Sequence, residues 1–513
     1  MRFADVVATS ASVAAESGRS AKRDLLAGLL AGLAPDEVVP AVGFLTGEAR
    51  QGRIGVGWRT IAELDHPVAA EPTLTVAEVD DTLSSIAAQS GPGSGTARAA
   101  LLEAMFGRAT AEEARFLTLL LGGELHQGAS AGVMVQAAAR AAGVPVEAVR
   151  RAAMLGGRLD DTVALALTGG AAALGEVSLL VGRAVQPMLA ATSADPASAW
   201  EDASVDGLAV VQHKLDGIRI QVHRAATPSG DRDAAVRVFT RNLNDITERL
   251  PGIVAVVADL PGGALVLDGE ALVTDPDGRP VAFQDTAGRV SADEPRPESV
   301  RPYFFDALHA DGVDLIDAPL SARLEVLDRA AGSSMVAGAT VAGADEVAGI
   351  NADALAAGQE GIVVKDPTST YAAGRRGKAW RKVKPVHTLD LVVLAAEWGH
   401  GRRRGWLSNL HLGARDPAGG FVMVGKTFKG LTDALLGWQT DRLSSLARSA
   451  GLALDGHVVE VPPELVVEIA VDGVQRSTRY DGGVALRFAR VVRYREDKKP
   501  GQADTIEAVR ALG

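Results

Sequence analysis

The sequence predicts a multidomain protein in three parts: an all-α N-terminal domain over residues 1–183, an α+β domain over 184–386, and a small C-terminal β-barrel of the OB-fold type over 387–513. Three observations carry that division. Ala/Leu-rich segments of helical period fill the first part. Beyond Gln186 and Pro187 the period changes to short β-branched runs bounded by turn residues. After Lys384 and Pro385 come five short strand-like runs with one helix-like segment among them.

The helical part is read from periodic segments at 20–33, 97–106, 111–121 and 129–142, with a flexible Ser/Gly/Pro loop at 90–95. Strands are expected at 209–213, 218–223, 236–240 and 264–267. In the C-terminal part they are expected at 389–395, 410–412, 421–425, 458–461 and 466–470, with a helix over 431–450. There is no clean internal repeat and no coiled-coil heptad pattern.

The chain has 513 residues, 47% apolar and 23% charged, enough to bury several cores and to exclude a disordered or fibrous protein. It contains no cysteine, which excludes disulfides, thiolate catalysis, Fe–S clusters and Cys-ligated zinc, so any metal must sit on carboxylates or His. The longest stretches free of charge, such as 125–139, fall short of the ~18–20 residues that span a bilayer. Asp5 and Glu16 stand where a secretory leader would be basic and then apolar, so no membrane association and a cytoplasmic location are expected.

The net charge of −12 hides an asymmetry. Residues 375–430 hold twelve Lys/Arg against three acids, and 476–499 hold eight against three, whereas 1–186 hold fifteen against twenty. The positive footprint is in the second half of the chain. Only ten of the 52 basic residues are Lys, and nine of those ten follow residue 213. In an Arg-rich chain a lysine marks a place where chemistry needs an amine that can lose its proton or act as a compact charge.

Those lysines fall in short strings. VQHKLDGIR (211–219) puts Lys214 at a strand end, followed by an Asp-Gly turn and Arg219. A lysine held in low dielectric among cations can become a nucleophile, although K-x-D-G alone is equally an ordinary hairpin turn. In order downstream stand TRN (240–242), LDGEALV (267–273), FFDAL (304–308), EGIVVK (360–365), WRKVK (380–384) and REDK (495–498). Each alone also suits a core or solvated position; together in this order they are beyond coincidence.

The series resembles the covalent nucleotidyltransferase superfamily of ATP-dependent DNA ligases and capping enzymes, and is closest to the archaeal-type, or bacterial B-type, three-domain DNA ligases. GELHQGA (123–129), QPMLA (186–190) and VEIAVDGVQRS (467–477) support the narrower match, and the resemblance covers nearly the whole chain. It implies a helical domain that grips duplex DNA, a nucleotidyltransferase (adenylation) domain, and an OB domain that closes over both. The implied activity is sealing of 5′-phosphate/3′-hydroxyl nicks in double-stranded DNA with ATP and Mg²⁺, through lysyl-AMP and DNA-adenylate, by a monomer.

Carried over residue by residue, the resemblance implies that Lys214 is the nucleophile. Arg219 and Arg241 would contact nucleotide or nick, Glu270 the ribose, and Phe305 would stack on adenine. Glu360 would hold Mg²⁺, Arg376 would sit at the nucleotide site, and Lys382 and Lys384 would flank the α-phosphate. Arg495, Asp497 and Lys498 would orient the pyrophosphate leaving group.

The sequence departs from the family twice. Gln212 stands where the family has an adenine-contacting Glu; its side-chain oxygen still accepts from an amino group, without charge assistance. His126 stands where Arg is usual, leaving Arg50, Arg53 and Arg59 as phosphate-gripping candidates in the helical domain. The long helical domain before K-x-D-G argues against an RNA ligase or RNA guanylyltransferase. Absence of the four-Cys zinc site argues against a NAD-using ligase, and the intact lysine set against a catalytically idle nucleic-acid-binding protein.

Overall fold

The computed structural model describes the chain except residues 53, 58–59, 62–63, 65–67, 126–127, 129, 227–232, 234, 276–279, 282–287, 289–299 and 373–375 and the side chain of Arg376. Arg53, Arg59 and His126 therefore lie outside the described residues.

Among the described residues up to 175 the α-helices are Phe3–Ala15, Arg19–Ala31, Val38–Thr46, Val76–Ala87, Ser94–Phe106, Ala111–Gly122, Ala131–Ala142, Val146–Gly156 and Leu159–Gly175. Their boundaries follow local chemistry. Thr75 and Thr110 each accept from the backbone N–H three residues on, and Glu78 and Glu113 reach back to the cap N–H, so two orphan donors are met at each start. Phe3 anchors the core, edge-on to Phe44 and Phe116 with 5.6 Å between ring centroids. The loop expected at 90–95 ends sooner, because Gly93, at φ 84°, already caps the helix that begins at Ser94.

The middle of the chain builds two sheets. One has the order β1-β10-β9-β2-β8, from β1 (Leu189–Thr192), β2 (Ala209–Lys214), β8 (Gly338–Val341), β9 (Gly361–Lys365) and β10 (Arg376–Val383). The other has the order β4-β3-β5-β6-β7, from β3 (Ile218–Arg224), β4 (Val236–Thr240), β5 (Leu265–Val273), β6 (Val300–Ala310) and β7 (Val313–Asp314). The Asp216-Gly217 turn after Lys214 is thus no hairpin: β2 and β3 lie in different sheets, and the turn crosses between them. Gly217 is required there, because a Cβ would stand 2.4 Å from the Ala271 carbonyl oxygen.

The helical region is bound to these sheets through an apolar cluster in which Met154 and Leu155 join Val266, Leu308 and Ile316. The connecting segment is held by side chains of β3. The Gln221 side-chain oxygen accepts from Val185 N–H at 2.7 Å, and His223 Nδ1 accepts from Gly182 N–H at 3.0 Å. Burial lowers the His223 pKa to about 3, so the ring is neutral and Nδ1 can accept.

The C-terminal part forms a β-sheet of order β13-β12-β11-β15-β18: β11 (His387–Trp398), β12 (Leu407–Arg415), β13 (Phe421–Thr427), β15 (Val466–Val471) and β18 (Arg490–Tyr494). β14 (Val458–Glu460) also pairs with β11, and β16 (Gly473–Arg476) with β17 (Val484–Arg487) makes a separate pair. The five expected strands and the expected helix, Asp433–Ser449, are present; β16, β17 and β18 are additional.

Candidate functional site

The crossing between the two middle sheets opens a cavity of about 220 Å³, lined by Gln212, Lys214, Arg219, Arg241, Glu270, Phe305, Lys365, Trp380 and Lys382 among others. Strand register explains how they converge. Arg219 lies opposite Glu270 across β3 and β5. Between β5 and β6, Asp268 pairs with Asp306 and Gly269 with Phe304, so Phe305 is the extra residue of a β-bulge and leaves the ladder.

Lys214, Lys384 and Arg219 are held by carboxylates. Lys214 Nζ ion-pairs with Glu360, and Lys384 Nζ lies 3.2 Å from the other Glu360 oxygen. Burial by itself would raise the Glu360 pKa; the two lysines outweigh it and hold the carboxyl below the ordinary range. Arg219 makes two bonds to Asp268, at 3.0 and 2.6 Å, and its guanidinium stands 5.2 Å from the Phe305 ring centroid. Asp268 in turn accepts from the Tyr371 hydroxyl at 2.6 Å, and that hydroxyl accepts from Met188 N–H at 3.0 Å. Burial pushes the Glu270 carboxyl up to about 7, against the pull of Lys214 and Arg219.

The pocket keeps unmet polar capacity. Gln212 is 2% exposed, and neither its side-chain oxygen nor its nitrogen has a hydrogen-bond partner. The indole N–H of Trp380 is also unpartnered. Buried polar atoms of this kind are costly unless a ligand meets them, and an amide offers both a donor and an acceptor to a heteroaromatic base.

Among the described residues no three acids or histidines gather to hold a metal by themselves. Glu360 would supply one hard oxygen ligand, with phosphate and water oxygens as the rest, which is how magnesium is ordinarily held; the donor set fits.

Not every expected residue reaches the cavity. Arg376 opens β10, but its side chain lies outside the described residues. Neither Glu360 nor Lys384 is among the residues lining the cavity; Glu360 reaches the site through its ion pair with Lys214, and Lys384 through Glu360. Arg495, Asp497 and Lys498 lie on the C-terminal domain, outside the cavity lining. Arg495 bonds Asp497 at 2.9 and 2.7 Å and Asp390 at 3.1 and 3.2 Å, and Lys498 pairs with Asp390. The C-terminal domain presents a different face to the site. Its Arg487 bonds Asp216 at 2.7 and 3.2 Å, and its Asp472 ion-pairs Lys384.

Sequence reasoning left Lys365, Trp380 and Asp268 out of the site, although all three stand inside strings it quoted. Lys365 Nζ lies 4.0 Å from the Trp380 centroid and 4.8 Å from that of Phe305, and donates to the Phe305 carbonyl at 3.2 Å. Burial brings its pKa down to about 7. Its being a lysine in an Arg-rich chain was the available signal.

Beyond the cavity, a groove of about 1280 Å³ runs between the helical region and residues 241–244, with Arg50, Gly123 and Arg158 on one wall and Arg241 on the other. Arg50 is already bonded to Asp80 at 2.9, 2.8 and 2.5 Å.

Comparison with known proteins places this geometry in context. Family models match in three successive stretches: DNA ligase N terminus at 64–139, ATP dependent DNA ligase domain at 187–384 and ATP dependent DNA ligase C terminal region at 403–498. A protein named "Probable DNA ligase" from Saccharopolyspora erythraea is 54% identical over 99% of this chain and 98% of its own length. One of the same name from Rhodococcus opacus is 53% identical over 100% of this chain and 99% of its own. Among solved structures, "Pmar-Lig_Pre." shares the fold at TM-score 0.63 and 18% identity, covering 96% of this chain and 99% of its own. Among the described residues no helix is long and apolar enough to cross a membrane.

Proposed function

The chain belongs to the ATP-dependent DNA ligases, and from that premise we propose that Lys214 is the residue on which AMP is carried. The enzyme seals nicks in duplex DNA with ATP and a divalent metal, by way of lysyl-AMP and DNA-adenylate. The observation that carries the residue assignment is the convergence of Lys214, Arg219, Glu270, Phe305 and Lys382 on one cavity whose buried Gln212 amide has no partner.

In this reading adenine stacks on Phe305 and meets the Gln212 amide, while Glu270 takes the ribose. Arg219 and Arg241 contact phosphate or sugar, and Arg376 joins them at the nucleotide site. Lys382 and Lys384 flank the α-phosphate, where positioning and charge neutralisation are what phosphoryl transfer requires. Mg²⁺ supplies further neutralisation of the phosphates when bound, and Glu360 would hold it. Lys214 must be neutral to attack, so its ion pair with Glu360 has to open first. Its Nζ then bonds to the α-phosphorus as the bond to the β-phosphate oxygen breaks and pyrophosphate leaves.

Arg495, Asp497 and Lys498 orient that leaving group in a second orientation of the C-terminal domain, reached by rotation about 384–386. We place the domain boundaries at 1–183, 184–386 and 387–513. We read the last domain as an OB fold, on its multi-strand antiparallel sheet with bulged pairings and its single long helix, and the enzyme as a cytoplasmic monomer. The test is incubation with α-labelled ATP and Mg²⁺: the protein acquires an acid-stable, lysine-linked AMP, and Lys214→Arg, whose guanidinium stays protonated, acquires none. Label retained on that variant moves the nucleophile elsewhere.

A further inference from the structure

Asp472 belongs to the C-terminal domain, in the one-residue link between β15 and β16, yet its side chain is only 10% exposed and faces the nucleotide site. One of its oxygens ion-pairs Lys384. The other accepts no hydrogen bond and is ion-paired only loosely, with Arg490 Nη1 at 3.6 Å. That oxygen is met by charge without a hydrogen bond, a weaker arrangement than a fully bonded interdomain staple would use.

The charge arrangement gives Asp472 another role. Lys384 carries one positive charge and has two carboxylates on it, Glu360 and Asp472, while Glu360 also pairs with Lys214. A chain of alternating charges therefore runs from the C-terminal domain to the nucleophile. With Asp472 in place, Lys384 has little charge left for a phosphate, and the polyanionic triphosphate would meet an additional negative group. With the domain undocked, Lys384 loses one of its two carboxylates and regains its pull on phosphate.

We propose that Asp472 is a positioning residue that competes with the nucleotide phosphate for Lys384, so that the docked C-terminal domain disfavours ATP and its departure opens the site. The Arg487–Asp216 pair holds the same docked face together without touching Lys384. The proposal rests on the reading of Lys214 and Lys384 as the nucleotidyl-transfer lysines.

The test compares Asp472→Asn, which keeps the shape and removes the charge, with Asp472→Glu, which restores it. Lysyl-AMP formation is followed in single turnovers over a range of ATP concentrations, and sealing of a nick carrying a preformed 5′-adenylate is followed separately. Asp472→Asn should lower the KM for ATP by about fivefold or more, the low end of ordinary site–site coupling, with the maximal rate within about twofold. The same variant should seal the preadenylated nick more slowly, and Asp472→Glu should return both values toward the parent. An unchanged or raised KM for ATP overturns the proposal, as does an equal loss in both steps, which would make Asp472 a plain staple. Failure of the underlying reading looks different: the parent protein itself would then form no lysyl-AMP.

Discussion

Replacing Glu270 by Gln should make the nucleotide-free enzyme more stable, by an amount that grows as pH rises from 4.5 to about 7 and stays full above it. Burial raises this carboxyl from its ordinary value of 4.5 to about 7, with Lys214 and Arg219 pulling the other way. Between those two values the folded protein keeps a proton that the unfolded chain has released, so stability falls as pH rises through that window, and the full penalty stands above it. At about 1.4 kcal/mol per pH unit the ionised group costs the fold up to about 3.5 kcal/mol. Glutamine has nearly the same volume and no charge, so at pH 8.5 the urea midpoint should rise by about 1 M, while at about pH 4, below both the unfolded and folded values, the two proteins should nearly coincide. Urea titrations at the two pH values, without ATP, decide the matter. An equal shift at both, or none at pH 8.5, would refute the reasoning and return Glu270 to an ordinary solvated carboxylate. The same variant should adenylylate itself more slowly, because the penalty is tolerated at a place where the nucleotide is expected to meet that carboxylate.

Three further outcomes follow from the geometry. Asp497→Ala with Lys498→Ala should block lysyl-AMP formation from ATP yet seal a preadenylated nick, since in the orientation seen Asp497 bonds Arg495 and Lys498 pairs with Asp390, away from the cavity; equal loss of both activities would rule out a step-specific role. Converting Arg402, Arg403 and Arg404 to Ala should flatten the log–log salt dependence of nick binding by about two, one for each exposed arginine, because Arg403 is committed to the Phe428 carbonyl; an unchanged slope would make the cluster a solvated face. Tyr371→Phe removes a donor to Asp268 and an acceptor for Met188 N–H, and should lower stability by about 2 kcal/mol and slow adenylylation through a less firmly held Arg219, both readable in one thermal melt and one single-turnover assay.

By itself the sequence determined the three-part order, the strands around K-x-D-G and most of the site, because these are local. Alternation, caps and breakers act within a few residues, and an amine chosen where arginine is the habit marks its own chemistry. Lys214 and Lys382 were legible by that habit and Glu360 by its place in the ordered strings, while local period and capping marked the helix Ala111–Gly122 with its Thr110–Glu113 cap and the helix Asp433–Ser449. Only the tertiary structure decided that the turn after Lys214 crosses between two sheets rather than closing a hairpin, since strand partners are chosen by burial over long separations. It also decided that a bulge turns Phe305 out of the ladder, that Asp268 and Tyr371 hold Arg219, and that Lys365 lies buried against Phe305 and Trp380. The sequence likewise held no sign that Asp472, 88 residues beyond Lys384, would end up on it, because Coulomb attraction depends on distance in space and on the loss of water around the pair, and neither is written in the spacing of residues along the chain.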